Sequence, residues 1–401
     1  MLFAIEVFLL RVYMTIFKYV VMVLPYKWPT TFDGAGSAKD LCKHIAEQKH
    51  KKVLIVTDSM LVQLGLVDPI KTELEAQGVA GVIYDGVKPD PTVDQIEAGF
   101  DIYKAEGCDG LLAIGGGSSI DAAKIIGARA KNNKPIRKMA GLFRVFRGMA
   151  PLYAVPTTAG TGSEVTIAAV VSDPEAQRKL PVMDLNLMPT ACALDGTLMT
   201  GLPAPITSAT GMDALTHAVE AYISRAANSK TDALAIEATQ MIMANLATAV
   251  EDGANVEARQ AMTSASSKAG RAFTQAGVGY VHAIAHNFGA LYHTPHGLAN
   301  AIVMPYVLDY SLPKCAGRLA DLARACDIGS GSDEERAKAF VARIREMNEK
   351  FGIPTRLDAL KADDIPQIAK AALQEARFTY AVPRYLNRKG CEALVAQMLP
   401  A

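Results

Sequence analysis

The chain has 401 residues, half of them hydrophobic, and its 41 basic and 41 acidic side chains leave no net charge. That length suits two domains with a large buried core, and the charge balance removes any global attraction to nucleic acid, so no nucleic-acid partner is expected. The six cysteines, at 42, 108, 192, 315, 326 and 391, form no C-x-x-C pair; they read as free thiols in a reducing compartment, which places the chain in the cytoplasm.

Met1 to Leu24 is strongly apolar, broken only by Glu6, Arg11, Thr15 and Lys18, and ends at Pro25. A helix is predicted over 1–25. At about 100° per residue, Arg11, Thr15 and Lys18 fall on one stripe of it. The stretch lacks the basic start of a secretory signal, and its three charges leave no apolar run near the ~20 residues that span a bilayer. It is read as an interfacial helix at the inner face of a membrane, with Arg11 and Lys18 toward headgroups. A contact with another subunit is the second reading, and a disordered extension the third.

From Lys51 the pattern alternates. Lys52 to Thr57, Gly81 to Tyr84 and Gly110 to Ile114 are short apolar runs suited to parallel strands buried on both faces. Helical stretches follow the first, up to Gln77, and the second, from Asp94 to Glu106. Such βαβ alternation predicts a doubly wound parallel sheet. The third strand runs into Gly115-Gly-Gly-Ser-Ser119 and then a helix from near Ile120. Glycines let backbone approach a ligand, and N–H groups at a helix start seat phosphate; a plain tight turn is the bland alternative. Asp58, after the first strand, suits a ribose hydroxyl pair and repels a 2′-phosphate, favouring NAD over NADP.

Ile136 to Gly148 interleaves Arg137, Lys138, Arg144 and Arg147 with Met139, Leu142, Phe143 and Phe146. It reads equally as a membrane-surface element or as a solvated loop over the cofactor edge. Leu152 to Pro156, a further strand, leads into a second small-residue turn, Thr157-Thr-Ala-Gly-Thr-Gly-Ser-Glu164. Two such turns at neighbouring strand ends form a nucleotide crevice better than one.

Beyond about Thr200 to Pro205 the strand signal fades. Thr207 to Ala249, Glu257 to Gly270 and Pro313 to Ala396 read as helices. The predicted organisation is a helix over 1–25, an α/β domain over 26–202 and an all-α domain over 203–401. The helical half carries the metal chemistry. Asp213 and His217 are four apart and share a helical face, and Gly279 to Gly297 holds His282, His286, His293 and His296, four of the seven histidines. By spacing, His282 and His286 look like an i, i+4 ligand pair, yet His-Ala-Ile-Ala-His lacks the glutamate of H-E-x-x-H hydrolases.

Gly-Gly-Gly-Ser-Ser-Ile-Asp-Ala-Ala-Lys124, Pro-Thr-Thr-Ala-Gly-Thr-Gly-Ser-Glu164, Gly-Met-Asp-Ala-Leu-Thr-His-Ala-Val-Glu-Ala-Tyr222 and the histidine stretch, in this order, resemble the iron-containing alcohol dehydrogenases over about residues 26 to 400. The resemblance implies reversible NAD-dependent oxidation of a primary alcohol to its aldehyde at one divalent metal. It implies metal ligands Asp213, His217, His282 and His296, with His286 in the active site off the metal and His293 uninvolved. It implies cofactor contacts at Asp58, Gly116, Gly117, Ser118, Thr157, Thr158 and Lys179. Ala168 departs from members that place an asparagine there. The family pattern begins near Pro29, so residues 1–24 stand outside it, and a membrane position for them would suit a long-chain substrate. Three imidazoles and a carboxylate suit Fe(II), with Zn(II) as the alternative. A homodimer or higher homo-oligomer is expected. Two competing readings are a metal- and NAD-dependent lyase or cyclase resembling dehydroquinate synthase, and a non-enzymatic membrane-attached nucleotide-binding protein.

Overall fold

The computed structural model describes residues 2–176 and 178–400. They divide into two compact units: Pro25–Leu202 with Gly253–Ser267, and Met1–Leu24 with Pro203–Asp252 and Lys268–Ala401.

The first unit carries nine strands: β1 (Thr30–Asp33), β2 (Lys52–Val56), β3 (Ala80–Tyr84), β4 (Gly110–Gly115), β5 (Gly141–Leu142), β6 (Leu152–Pro156), β7 (Ala168–Asp173), β8 (Arg178–Met183) and β9 (Ala191–Leu194). Six form one parallel sheet in the order β1-β9-β6-β4-β2-β3. All of β4, β6 and β9 is buried, which is why the sequence there is apolar without alternation. One face packs Leu54, Leu111 and Ala113 against Ile96, Ile120 and Ile126 of helices Val93–Ala105 and Gly117–Lys131. The other packs Val53, Ile55 and Leu112 against Leu41, Ile45 and Leu74 of helices Ser37–Glu47 and Asp68–Ala76. Helices on both faces make the doubly wound sheet expected from the βαβ rhythm.

Several details differ from the sequence reading. The helical stretch to Gln77 is two helices, Ser59–Gln63 and Asp68–Ala76, separated near Gly65, which sits at φ +70°. Strands β1 and β9 carry little signal in the sequence because β1 is a short edge strand with three of four residues exposed, and β9 is Ala-Cys-Ala-Leu, without β-branching. A small second sheet, β5-β8-β7, was also unforeseen.

The second unit is helical. Thr207 to Ala249 resolves into Ala204–Ile223 and Ser229–Glu251, the latter started by an Asn228 capping box. Ser229–Glu251 is long and apolar enough to cross a membrane, but it packs through Ala238 onto Ala218 and Ala269 as a core helix does.

The N-terminal helix, Leu2–Val23, corrects one expectation. Lys18 does not reach outward: its ammonium donates to the carbonyls of Ala227 (2.6 Å) and Arg225 (3.3 Å), just past the carbonyl end of helix Ala204–Ile223, where a cation is favoured. Glu6 pairs with Arg377 at 2.9 Å, and the Nε of Arg11 is buried. Leu10, Met14 and Phe17 lie on this inward side. Lys18 and the Arg11 Nε therefore turn to the docked side while Thr15 stays exposed, and most of the side left to solvent is apolar.

Candidate active site

Helix Ala204–Ile223 is buried without interruption from Gly211 to Ile223. On it Asp213, His217 and Glu220 stand at i, i+4 and i+7, one face. Helix Tyr280–Tyr292 contributes His282 and His286. His293 ends that helix in the left-handed conformation (φ 54°) and is exposed. Pro295 then starts the next helix, whose first residue is His296. One donor atom from each of Asp213, His217, His282 and His296 lies within 4.8 Å of the others. Nε2 of His296 is 3.5 Å and Nε2 of His282 is 3.9 Å from Asp213 Oδ1. The His217 ring is stacked between Phe273 (4.3 Å) and His282 (4.6 Å).

The surroundings decide which atoms face the cluster. The His282 Nδ1–H donates to Glu220 Oε2 at 2.7 Å, which fixes the tautomer and turns the Nε2 lone pair toward Asp213. Glu220 also accepts the backbone N–H groups of Gly279 and Val281, both at 2.8 Å, at the start of the His282 helix. A Cβ at Gly279 would stand 2.7 Å from Glu220 Oε1, so a side chain there would displace the carboxylate. Burial pushes Glu220 up to about 7, opposed by these hydrogen bonds. Burial, then the neighbouring His217, His296 and His286, hold His282 well below the ordinary histidine range, so it is neutral, as a metal ligand must be. Its Nε2 is buried and accepts no hydrogen bond from the protein, and a buried acceptor left without a partner costs ~1–3 kcal/mol. A divalent cation satisfies that atom and the acidic cluster partner at once, so this donor set fits a metal.

Asn300, four residues after His296 and fully buried, donates its Nδ2–H to Asp213 Oδ1 at 2.6 Å and lies 3.1 Å from His296 Nε2. His286 stands apart from the donor cluster. Its Nδ1 is 2.7 Å from Glu375 Oε1, which also accepts the Tyr380 hydroxyl at 2.6 Å. Its ring lies 5.3 Å from that of His296 and is 42% exposed. Sequence reasoning missed three of these residues. Glu220 was legible from its i+7 spacing and Asn300 from i+4; Glu375, on helix Ile365–Arg377, left no signal.

In the α/β unit, the backbone leaves β4 through Gly115 (φ +155°) to Gly116, which starts helix Gly117–Lys131 without a capping side chain. The first-turn N–H groups are thus left for an anion. The second turn closes on the first: Thr157 N–H donates to Gly115 O at 3.1 Å, and a Cβ at Gly117 would meet Thr161 at 2.8 Å. Asp121 and Lys124 fasten the pair. Asp121 accepts from the Ser163 hydroxyl (2.6 Å) and Val170 N–H (2.9 Å). The fully buried Lys124 donates to Ser163 Oγ and to the carbonyls of Thr166 and Ala168. Gly116, Gly117, Ser118, Thr157 and Thr158 are thereby gathered. Asp58 caps helix Ser59–Gln63 through Leu61 N–H (3.0 Å). Lys179 lies on β8, opposite Ser172, in an ion pair with Asp90.

Comparison with known proteins gives two family matches: the iron-containing alcohol dehydrogenase model over residues 29–196 and the C-terminal model of the Fe-containing alcohol dehydrogenase family over 207–399. The NAD-dependent methanol dehydrogenase of Bacillus methanolicus is 38% identical over 351 residues, 86% of this chain and 92% of that one. The 1,3-propanediol dehydrogenase of Citrobacter freundii is 39% identical over 381 residues, 93% of this chain and 96% of that one. The solved alcohol dehydrogenase from Oenococcus oeni superposes with a TM-score of 0.91 at 34% identity, covering 94% of this chain and 100% of that one.

Proposed function

The chain belongs to the iron-containing alcohol dehydrogenase family and is an NAD-dependent, metal-dependent alcohol dehydrogenase, and from that premise we propose that Asp213, His217, His282 and His296 hold its metal. The observation that carries this assignment is the buried, unsatisfied His282 Nε2 facing Asp213. Asp58, Gly116, Gly117, Ser118, Thr157, Thr158 and Lys179 are proposed as the NAD contacts, supported for the two turns by the open helix start at Gly116.

When bound, a divalent ion supplies Lewis acidity that lowers the pKa of the alcohol hydroxyl and so prepares its carbon to give hydride to nicotinamide. The protein's own groups do the rest. Glu220 holds His282 in the required tautomer. Asn300 orients Asp213 and His296. His286, its Nδ1 engaged by Glu375, offers Nε2 to the hydroxyl proton, and its exposed ring passes that proton to water. The helix start at Gly116 seats the NAD pyrophosphate.

Primary alcohols are the proposed substrates, and Fe(II) the proposed ion, with Zn(II) fitting the same donors. A metal-depleted sample given each ion in turn, then a series of short to long primary alcohols with NAD, is expected to form NADH with Fe(II) restored. No turnover with any ion and any alcohol overturns the site.

Peripheral membrane contact through residues 1–24, on the cytoplasmic side, is supported by the outward face of helix Leu2–Val23. There Phe8, Leu9, Ile16 and Tyr19 are 60–65% exposed, and so large an apolar patch calls for a cover. Deleting residues 2–24 is expected to move the protein from the membrane to the soluble fraction while turnover of a short alcohol persists. An intact chain found wholly in the soluble fraction sinks the idea and leaves the expected homo-oligomer as the cover, which sedimentation would report.

A further inference from the structure

We infer that the loop from Lys131 to Gly148 in the α/β unit is a lipid contact that recognises anionic headgroups. The inference extends the peripheral-membrane reading to a different part of the chain and rests on observations of its own.

This stretch carries six cations, Lys131, Lys134, Arg137, Lys138, Arg144 and Arg147, and no acidic residue, in a chain with no net charge. Arg137 is paired with Asp173 (2.7 Å) and Glu175 (2.6 Å). Among the described residues, none of the other five is ion-paired with an acid. The positive charge is therefore local and available.

The loop is built, not loose. Buried Asn132 closes its neck, accepting Arg147 N–H (3.1 Å) and donating to Gly148 O (2.8 Å) and Ala128 O (2.7 Å). Ile136, Met139 and Val145 anchor it in the core, as in a compact Ω-loop. Against that anchorage it turns Phe146 (81% exposed), Leu142 (51%) and Phe143 (43%) to solvent. Phe143 sits at φ +53°, an uncommon and costly backbone conformation for a bulky residue. The Lys134 ammonium stands 5.0 Å from the Phe146 ring. At the neck, Lys131 and Arg147 join Lys104, Arg129 and Tyr103 in lining an open cavity of about 520 Å³.

The Lys134 ammonium donates to Arg144 O within the loop but meets no acid. Exposed rings beside ammonium and guanidinium groups that lack an acidic partner match the boundary between lipid headgroups and acyl chains, where aromatic rings settle and cations meet phosphate. A soluble polyanion would engage the cations but leave Leu142, Phe143 and Phe146 uncovered. One weak membrane signal gives reversible binding, and an apolar surface together with a basic patch gives stable attachment.

The test is co-sedimentation of the full chain with phosphatidylcholine vesicles, with and without phosphatidylglycerol. The intact protein is expected to favour the anionic vesicles, less so at high salt. K134E/R144E/R147E is expected to lose about 100-fold of that preference, keeping its binding to neutral vesicles and its turnover of a soluble alcohol. F146S, a change at a mostly exposed ring, is expected to weaken anionic binding with turnover intact. Deletion of 2–24 is expected to abolish neutral-vesicle binding and keep the anionic preference. If the intact chain ignores neutral vesicles yet pellets with anionic ones, the helix reading fails and the loop stands. A triple variant that keeps the anionic preference overturns the inference. So does an intact chain with no such preference, or one retained by heparin without pelleting with anionic vesicles.

Discussion

Changing His217 to alanine is expected to remove the metal and at least ~10³-fold of turnover together, because the loss of Lewis acidity forfeits several kcal/mol of transition-state stabilisation. The site leaves little room for compensation. His217 is fixed between Phe273 and His282, and removing its ring leaves two imidazoles and one carboxylate. Metal content of the purified variant and NADH formation should fall in parallel. His286→Ala is the control: it stands outside the donor cluster, so it is expected to keep its metal and lose only turnover. A His217→Ala protein that retains stoichiometric metal would remove His217 from the ligand set.

Glu220→Gln is expected to weaken metal affinity by about 10–100-fold, the usual consequence of losing a partner that orients a ligand. The substitution is nearly isosteric, so the effect is chemical. The carboxylate accepts three donors: the N–H groups of Gly279 and Val281 and the His282 Nδ1–H. An amide has one oxygen for them and turns its NH₂ on the remainder. If that NH₂ faces Nδ1, the imidazole must accept there and carry its proton on Nε2, which blocks the lone pair aimed at Asp213. Chelator competition on wild type and variant measures the affinity. An unchanged affinity would confine Glu220 to capping the His282 helix.

Much of this centre could be read from spacing, and what could not has a physical reason. Asp213 and His217 announce themselves because four residues is one helical turn. The buried strands β2 and β4 are legible because nothing polar interrupts them. Spacing alone mispaired His282 with His286: both share a helical face, yet the donors converge around Asp213, which comes from another helix, and His286 turns to Glu375, 89 residues away. Resemblance in the motifs, not periodicity, separated their roles. For the N-terminal helix, spacing puts Arg11, Thr15 and Lys18 on one stripe, but a helical wheel has no knowledge of what lies beside it. The carbonyls of Arg225 and Ala227 turn Lys18 inward, while Thr15 on the same stripe stays exposed.

The arrangement of the donors along the chain has a bearing on how the protein matures. Asp213 and His217 leave the ribosome well before His282, and the fourth donor, His296, is later still, with the Glu375 partner of His286 last. An ion cannot be enclosed until the chain has been made past that point, whereas the glycine turns emerge early.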